Sequence, residues 1–197
     1  MLTMKNKQPP QFNDDDEEEH QIRIRGNEIW FWGPVTDDSM LELTVDLRDL
    51  ETSLLQDHAK NPSSPEPGIT LFIKTAGGDM FAGLSTMDFI WNMRVHVTTV
   101  ADGCCASAGT FLLLGGHTRL IKEYSFVLIH QLSCEFWGKF SDAKDDLKSS
   151  AKFMKIVKAM YRDNTKLPEK KLKTLMKRDV YLSSAECVKY NVVHNIY

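Results

Sequence analysis

The sequence predicts an α/β fold with a mainly parallel sheet buried on both faces. Short apolar runs alternate along the chain with longer stretches whose apolar residues recur every three or four positions. That alternation is the pattern of strands joined by crossover helices. At 197 residues, the chain is long enough for one domain with a substantial core and short for two.

The elements follow in order. Residues 1–25 form an acidic N-terminal segment that includes the run Asp14-Asp15-Asp16-Glu17-Glu18-Glu19. Six like charges in succession repel one another and favour an extended, solvated chain. The folded domain is expected over 26–197. Ile29-Trp30-Phe31-Trp32 reads as a buried strand closed by Gly33-Pro34. Asp37, Asp38 and Ser39 offer helix caps. Leu43, Leu47, Leu50 and Leu54 then mark one face of a helix over 40–57. A loop with three prolines over 61–68, within a long surface segment over 56–68, leads to a short strand over 69–73. Gly77-Gly78 precedes a helix over 80–93, and 95–100 reads as the next strand. A helix is expected over 107–114, a short strand at 120–121 and a buried strand over 126–129 that ends at His130. Ala143, Leu147, Ala151, Met154, Val157 and Met160 place a long helix over 141–165. A shorter helix covers 167–176, and Ser183 and Ser184 cap a last one from Ala185.

Composition removes several function classes. Lysine plus arginine number 24 against 27 acids, a net charge of -3. A dedicated nucleic-acid binder carries a net basic surface instead. No apolar run approaches the roughly 18 residues of a membrane span. The N-terminus lacks the charged, apolar, small-residue order of a secretory signal. Cys104, Cys105, Cys134 and Cys187 form no CxxC pair, so no zinc or other metal site is expected. They read as reduced, mostly buried thiols of a reducing compartment.

Three points fall where α/β folds place chemistry, at strand ends and helix starts. They are Gly77-Gly78, the segment Gly103-Cys104-Cys105-Ala106-Ser107-Ala108-Gly109, and His130. Acyl transfer by a serine needs a hydroxyl exposed at a tight turn and a neutral imidazole to take its proton. It also needs donors, commonly backbone N–H groups, where the carbonyl oxygen becomes negative. Small residues around Ser107 let a substrate backbone approach, and a glycine offers an N–H unobstructed by a side chain. Each piece alone is common; the order of the three is what points to this chemistry.

That order resembles the ClpP peptidases. The family's Pro-Gly-Gly turn is matched by Ala76-Gly77-Gly78. Its Gly-x-Ala-Ala-Ser-Met-Gly motif is matched by residues 103–109, and its Met-Ile-His-Gln-Pro by Leu128-Ile129-His130-Gln131-Leu132. Gly138 falls in the family's handle region, the helix-plus-strand that pairs two rings. Arg178-Asp179, Tyr181-Leu182-Ser183 and Ala185-Glu186 resemble the stretch near the family's C-terminus. The resemblance covers Ile29 to the end. It implies a ClpP/crotonase-like fold with Ser107 as nucleophile, His130 as general base, and an oxyanion hole from the N–H groups of Gly78 and Ala108. It further implies no cofactor, with ATP used by a partner AAA+ unfoldase rather than by this chain. Heptameric rings, two stacked, would act on unfolded polypeptides in the cytoplasm or an organelle stroma. The long helix over 141–165 would contribute to the ring–ring contact.

The sequence departs from the family at one decisive place. The triad aspartate belongs four residues before Asp179, and Leu175 stands there. Three readings follow: another acceptor serves His130, with Asp179, Asp163 or a backbone carbonyl as candidates; the pair acts as a Ser-His dyad; or the chain is a weak or inactive ClpR-like ring subunit. A crotonase-type acyl-CoA enzyme, which also uses paired backbone N–H groups, is the rival from a different chemistry.

Overall fold

The computed structural model describes residues 20–133 and 139–197. The acidic run, Cys134 and Gly138 of the expected handle lie outside these residues. The described elements are β1 (Gln21–Arg25), β2 (Glu28–Trp32), α1 (Asp37–Lys60), β3 (Gly68–Thr75), α2 (Met80–Trp91), β4 (His96–Ala106), α3 (Gly109–Gly115), β5 (Thr118–Ile121), β6 (Phe126–Leu128), α4 (Phe140–Asn164), α5 (Glu169–Leu175), β7 (Tyr181–Ser183), α6 (Ser184–Lys189) and β8 (Asn195–Ile196).

The sheet runs β1-β2-β3-β4-β5-β8, and β6 joins it through β4 and carries β7 on its other side. Among the described residues, β1–β2 and β6–β7 pair antiparallel and the other strand pairs are parallel. The expected α/β class with a mainly parallel sheet is therefore the observed one. β1 sits inside the domain, N-terminal to the boundary expected after residue 25. Its turn closes at Gly26, where φ is 61°, a region that glycine enters without steric cost.

Strand β4 is what positions the site. It is eleven residues long, well past the 95–100 strand that the sequence predicts. Its first half, Thr98 to Ala101, pairs with β5. Its second half, Cys104 to Ala106, pairs with β6. Gly103, at φ 86°, lets the chain turn between the two partners, and its N–H donates to Ser125 Oγ at 2.7 Å. The glycine-rich stretch is thus strand rather than turn, and Ser107 follows it at once. The expected helix at 107–114 begins at Gly109 instead.

Helices α1, α2 and α3 close the core. Leu43 and Leu47 of α1, Ile90 of α2 and Leu112 to Leu114 of α3 are fully buried with Ile29, Phe31, Leu71, Ile73 and Val97 of the sheet. The α1 cap is Thr36, whose side chain accepts from Ser39 N–H while the Ser39 hydroxyl accepts from Thr36 N–H. This reciprocal box starts the helix one turn before the predicted position. No helix among the described residues is long and apolar enough to cross a membrane.

One pH effect belongs to the fold. His194 Nδ1 accepts the Arg119 backbone N–H at 3.1 Å, and Nε2 lies 3.0 Å from Arg119 Nη2. Both ring nitrogens face donors, and partial burial, then the Arg119 charge, hold the imidazole below its usual pKa. The unfolded chain therefore binds the extra proton more readily. The contribution of this group is complete above the ordinary histidine value of about 6.5 and is lost as pH falls below that value through the lowered folded-state one. Thermal unfolding from about pH 8 to about pH 5 should show a smaller acid loss for His194→Gln than for the native chain.

Candidate active site

Ser107 occupies a strained position. Its φ is 53°, a left-handed conformation that costs a non-glycine residue on the order of 1–3 kcal/mol unless its surroundings fix it. Two contacts do so. Ser107 N–H donates to Leu128 O of β6 at 2.9 Å, and Ser107 O accepts from Thr110 N–H at 3.0 Å and Thr110 Oγ1 at 2.6 Å. The Thr110 hydroxyl in turn pairs with the Tyr161 phenol on α4. Burial pushes that phenol above its ordinary value, so it stays neutral.

The glycine pair lies directly against this turn. A Cβ on Gly77 would stand 2.5 Å from Ser107 Cβ and 3.1 Å from Ala108 N, so only glycine permits the approach. Gly77 N–H donates to Thr75 Oγ1 at 2.9 Å, which ties the turn to the end of β3. Gly78 forms a parallel bridge with Val35. The two bonds of that bridge run from Val35 N–H to Gly77 O at 2.8 Å and from Asp79 N–H to Val35 O at 2.7 Å. In such a bridge, one residue uses its own polar groups and the other uses its neighbours'. Gly78 is the second kind, so its own N–H points away from Val35. Ala108 N–H, next to Ser107, is likewise not engaged in backbone pairing among the described residues. Gly78 and Ala108 line the same cleft.

His130 follows β6. Its Nδ1 lies 3.7 Å from Asp179 Oδ1, which leaves Nε2 as the nitrogen without a carboxylate. Ser107, His130, Gly78 and Ala108 therefore all line one cleft of about 310 Å³, together with Met80, Phe81, Phe111, Leu132, Phe153, Val157 and Tyr161. The structure brings together all four residues singled out in the sequence. A hydroxyl at a tight turn, an imidazole and two N–H groups in an apolar cleft can perform acyl transfer.

Other residues of this site carry no local sequence signal or were assigned elsewhere. Thr75 holds Gly77 by a local bond two residues along the chain. Ser150, Phe153, Val157 and Tyr161 of α4 wall the cleft; of the apolar positions read from the sequence on this helix, only Val157 is among them. Leu175 is buried in the core at 1% exposure. Asp163 pairs with neither nitrogen of His130. Among the described residues, no group of His, Cys, Asp or Glu side chains is arranged to hold a metal ion.

Residues 45–197 match the model of the Clp protease family. The chain belongs to that family. It is 31% identical over 135 residues to an ATP-dependent Clp protease proteolytic subunit of Deinococcus radiodurans, a stretch covering 68% of this chain and 66% of that protein. It is 32% identical over 131 residues to the same-named subunit of Cyanophora paradoxa, covering 66% of this chain and 68% of that one. The matched stretch thus spans about two thirds of these relatives' own length. A ClpP1 mutant from Listeria monocytogenes shares the fold with a TM-score of 0.73 at 21% identity, over 87% of this chain and 91% of that structure. The ClpP-like architecture expected from the motifs is therefore the architecture found, and the family match covers the segments that carry Ser107 and His130.

Proposed function

We propose that this chain is a proteolytic subunit of an ATP-dependent Clp-type protease that hydrolyses peptide bonds in unfolded polypeptides. The observation that carries the reading is the convergence of Ser107, at its strained turn, with His130 and the unspent N–H groups of Gly78 and Ala108 in one cleft. His130 Nε2 takes the Ser107 hydroxyl proton as Oγ bonds to the scissile carbonyl carbon. The Gly78 and Ala108 N–H groups stabilise the oxyanion. The C–N bond breaks as His130 returns the proton to the leaving amine. Water, deprotonated by His130, then attacks the acyl-enzyme, and the proton passes back to Ser107 as the acid leaves.

This chemistry calls for no metal or organic cofactor in this chain; ATP is hydrolysed by a partner AAA+ unfoldase. Family membership supports assembly into two stacked heptameric rings. The exposed Leu147 and Ile156 of α4 are available to such a contact.

A second reading has one observation behind it. The carboxylate facing His130 Nδ1, that of Asp179, is exposed and 3.7 Å away, beyond hydrogen-bond distance, which favours a weak or inactive ring subunit. Labelling by a fluorophosphonate probe separates the two. We expect the native chain to be labelled and Ser107→Ala to lose all labelling with an unchanged unfolding midpoint. A native chain that resists the probe, alone and mixed with an active subunit, would sink the peptidase reading.

A further inference from the structure

We infer that Thr110 and Tyr161 are positioning residues of the oxyanion hole: together they aim the Ser107–Ala108 peptide, whose N–H is one of its two donors. The inference rests on the reading of Ser107 as nucleophile and of Ala108 N–H as an oxyanion donor.

The first support is a count of protons. Ser107 O is a carbonyl oxygen and can only accept. It lies 2.6 Å from Thr110 Oγ1, so the single threonine proton sits between them. Thr110 Oγ1 has only lone pairs left for its other partner, the Tyr161 hydroxyl. Tyr161 is therefore the donor of that pair, and burial keeps its phenol neutral so that it holds the proton. The chain runs one way, from Tyr161 O–H to Thr110 O–H to Ser107 O. Both side chains are buried, so water does not stand in when one hydroxyl is removed.

The second support is the geometry of the peptide unit. The Ser107–Ala108 peptide is trans, and in a planar trans peptide the C=O and the N–H point in opposite directions. Ser107 O and Ala108 N–H belong to that one unit, so whatever fixes the carbonyl also fixes the N–H. Thr110 holds the carbonyl twice, through its backbone N–H at 3.0 Å and through its hydroxyl. Such a hold is needed because Ser107 has φ 53°, a conformation kept only where its surroundings over-determine it. The backbone bond is made by any residue at position 110; the hydroxyl bond depends on the side chain.

The third support is electronic. Donors at a carbonyl polarise the peptide and strengthen its N–H as a donor, as along any hydrogen-bond chain. The demand on Ala108 N–H is greatest when the oxyanion forms, so loss of the chain acts on kcat rather than on KM.

The test measures, on the full chain, labelling by a fluorophosphonate, kcat and KM for a fluorogenic peptide, and the unfolding midpoint. Thr110→Val, close to threonine in shape, should lower the labelling rate and kcat by about 10–30-fold, part of the 10²–10³-fold that follows loss of a whole donor. KM should change by less than about 2-fold. Thr110→Ser, which keeps the hydroxyl, should recover most of the rate. Tyr161→Phe keeps the ring in the cleft wall and should lower kcat by about 3–10-fold. Thr110→Val also strands the Tyr161 hydroxyl and should lower the midpoint. The double variant Thr110→Val/Tyr161→Phe removes both groups; its midpoint should rise again, and its kcat should stay as low as that of Thr110→Val. Thr86→Val removes another buried hydroxyl, one that donates to Ala82 O at 2.8 Å within α2, and should keep native kcat. Native kcat in Thr110→Val, or a loss confined to KM, overturns the inference. So does a loss that disappears in the double variant as the midpoint recovers, which marks a structural role alone. A native chain that is never labelled overturns the Ser107 reading itself, and this inference with it.

Discussion

His130→Ala is expected to lower kcat for peptide hydrolysis by about 10⁵–10⁶-fold, the scale seen when the base of a serine peptidase is removed. The Ser107 hydroxyl is a poor nucleophile while it keeps its proton, and among the described residues no other base is free in the cleft: the remaining lining groups are apolar, amide or hydroxyl, apart from Asp79. Asp79 is spoken for, since its carboxylate caps α2 by accepting Ala82 N–H at 2.8 Å. Residual turnover would come from the backbone N–H pair and from binding alone. KM should change little, because the ring's role arises on the way to the transition state. His58→Ala, at the far end of α1, should keep native kcat and serves as the control. An intact rate in His130→Ala would show that another group takes the proton.

Some parts of this site are legible in the sequence and others are not. Ser107 and His130 are legible because strand ends and small residues mark them locally. The acceptor of His130 is legible only as a choice among Asp179, Asp163 and a backbone carbonyl; the fold sets Asp179 Oδ1 3.7 Å from Nδ1, while Leu175 is a core residue. The same distinction covers the fold. Periodicity marks α1, α2 and α4 and the buried strands β2, β3 and β6. Strand β1 alternates Gln21, Ile22, Arg23, Ile24, Arg25 before a Gly26-Asn27 turn, a hairpin signal overshadowed by the neighbouring acidic run. The second half of β4 was hidden because Gly103 reads as a breaker. Its left-handed φ instead lets one strand change partners from β5 to β6. Thr75 was passed over although its contact is local, its hydroxyl accepting from Gly77 N–H two residues along the chain.

The glycine turn yields the other large effect. Gly78 has φ 147°, and a Cβ there would lie 2.2 Å from Val35 O and 3.0 Å from Val35 N. Both obstructions are backbone, and both belong to the bridge that aims the Gly78 N–H. Gly78→Ala cannot be absorbed by a side-chain shift, so the turn must move and carry the donor with it. Losing one oxyanion donor costs about 10²–10³-fold in kcat. The strained backbone adds a destabilisation of about 1–3 kcal/mol, read as a lower unfolding midpoint. The control is Gly26→Ala. That glycine also has a positive φ, 61°, but nothing lies within 4 Å of the added carbon. It should lose a little stability through strain and no activity. If Gly78→Ala lowers the midpoint but keeps native kcat below its unfolding range, the oxyanion is held by other donors. If kcat falls as expected while Gly26→Ala stays active, the Val35 bridge is what fixes the donor, and the rate depends on a contact between two backbones rather than on any side chain of the turn.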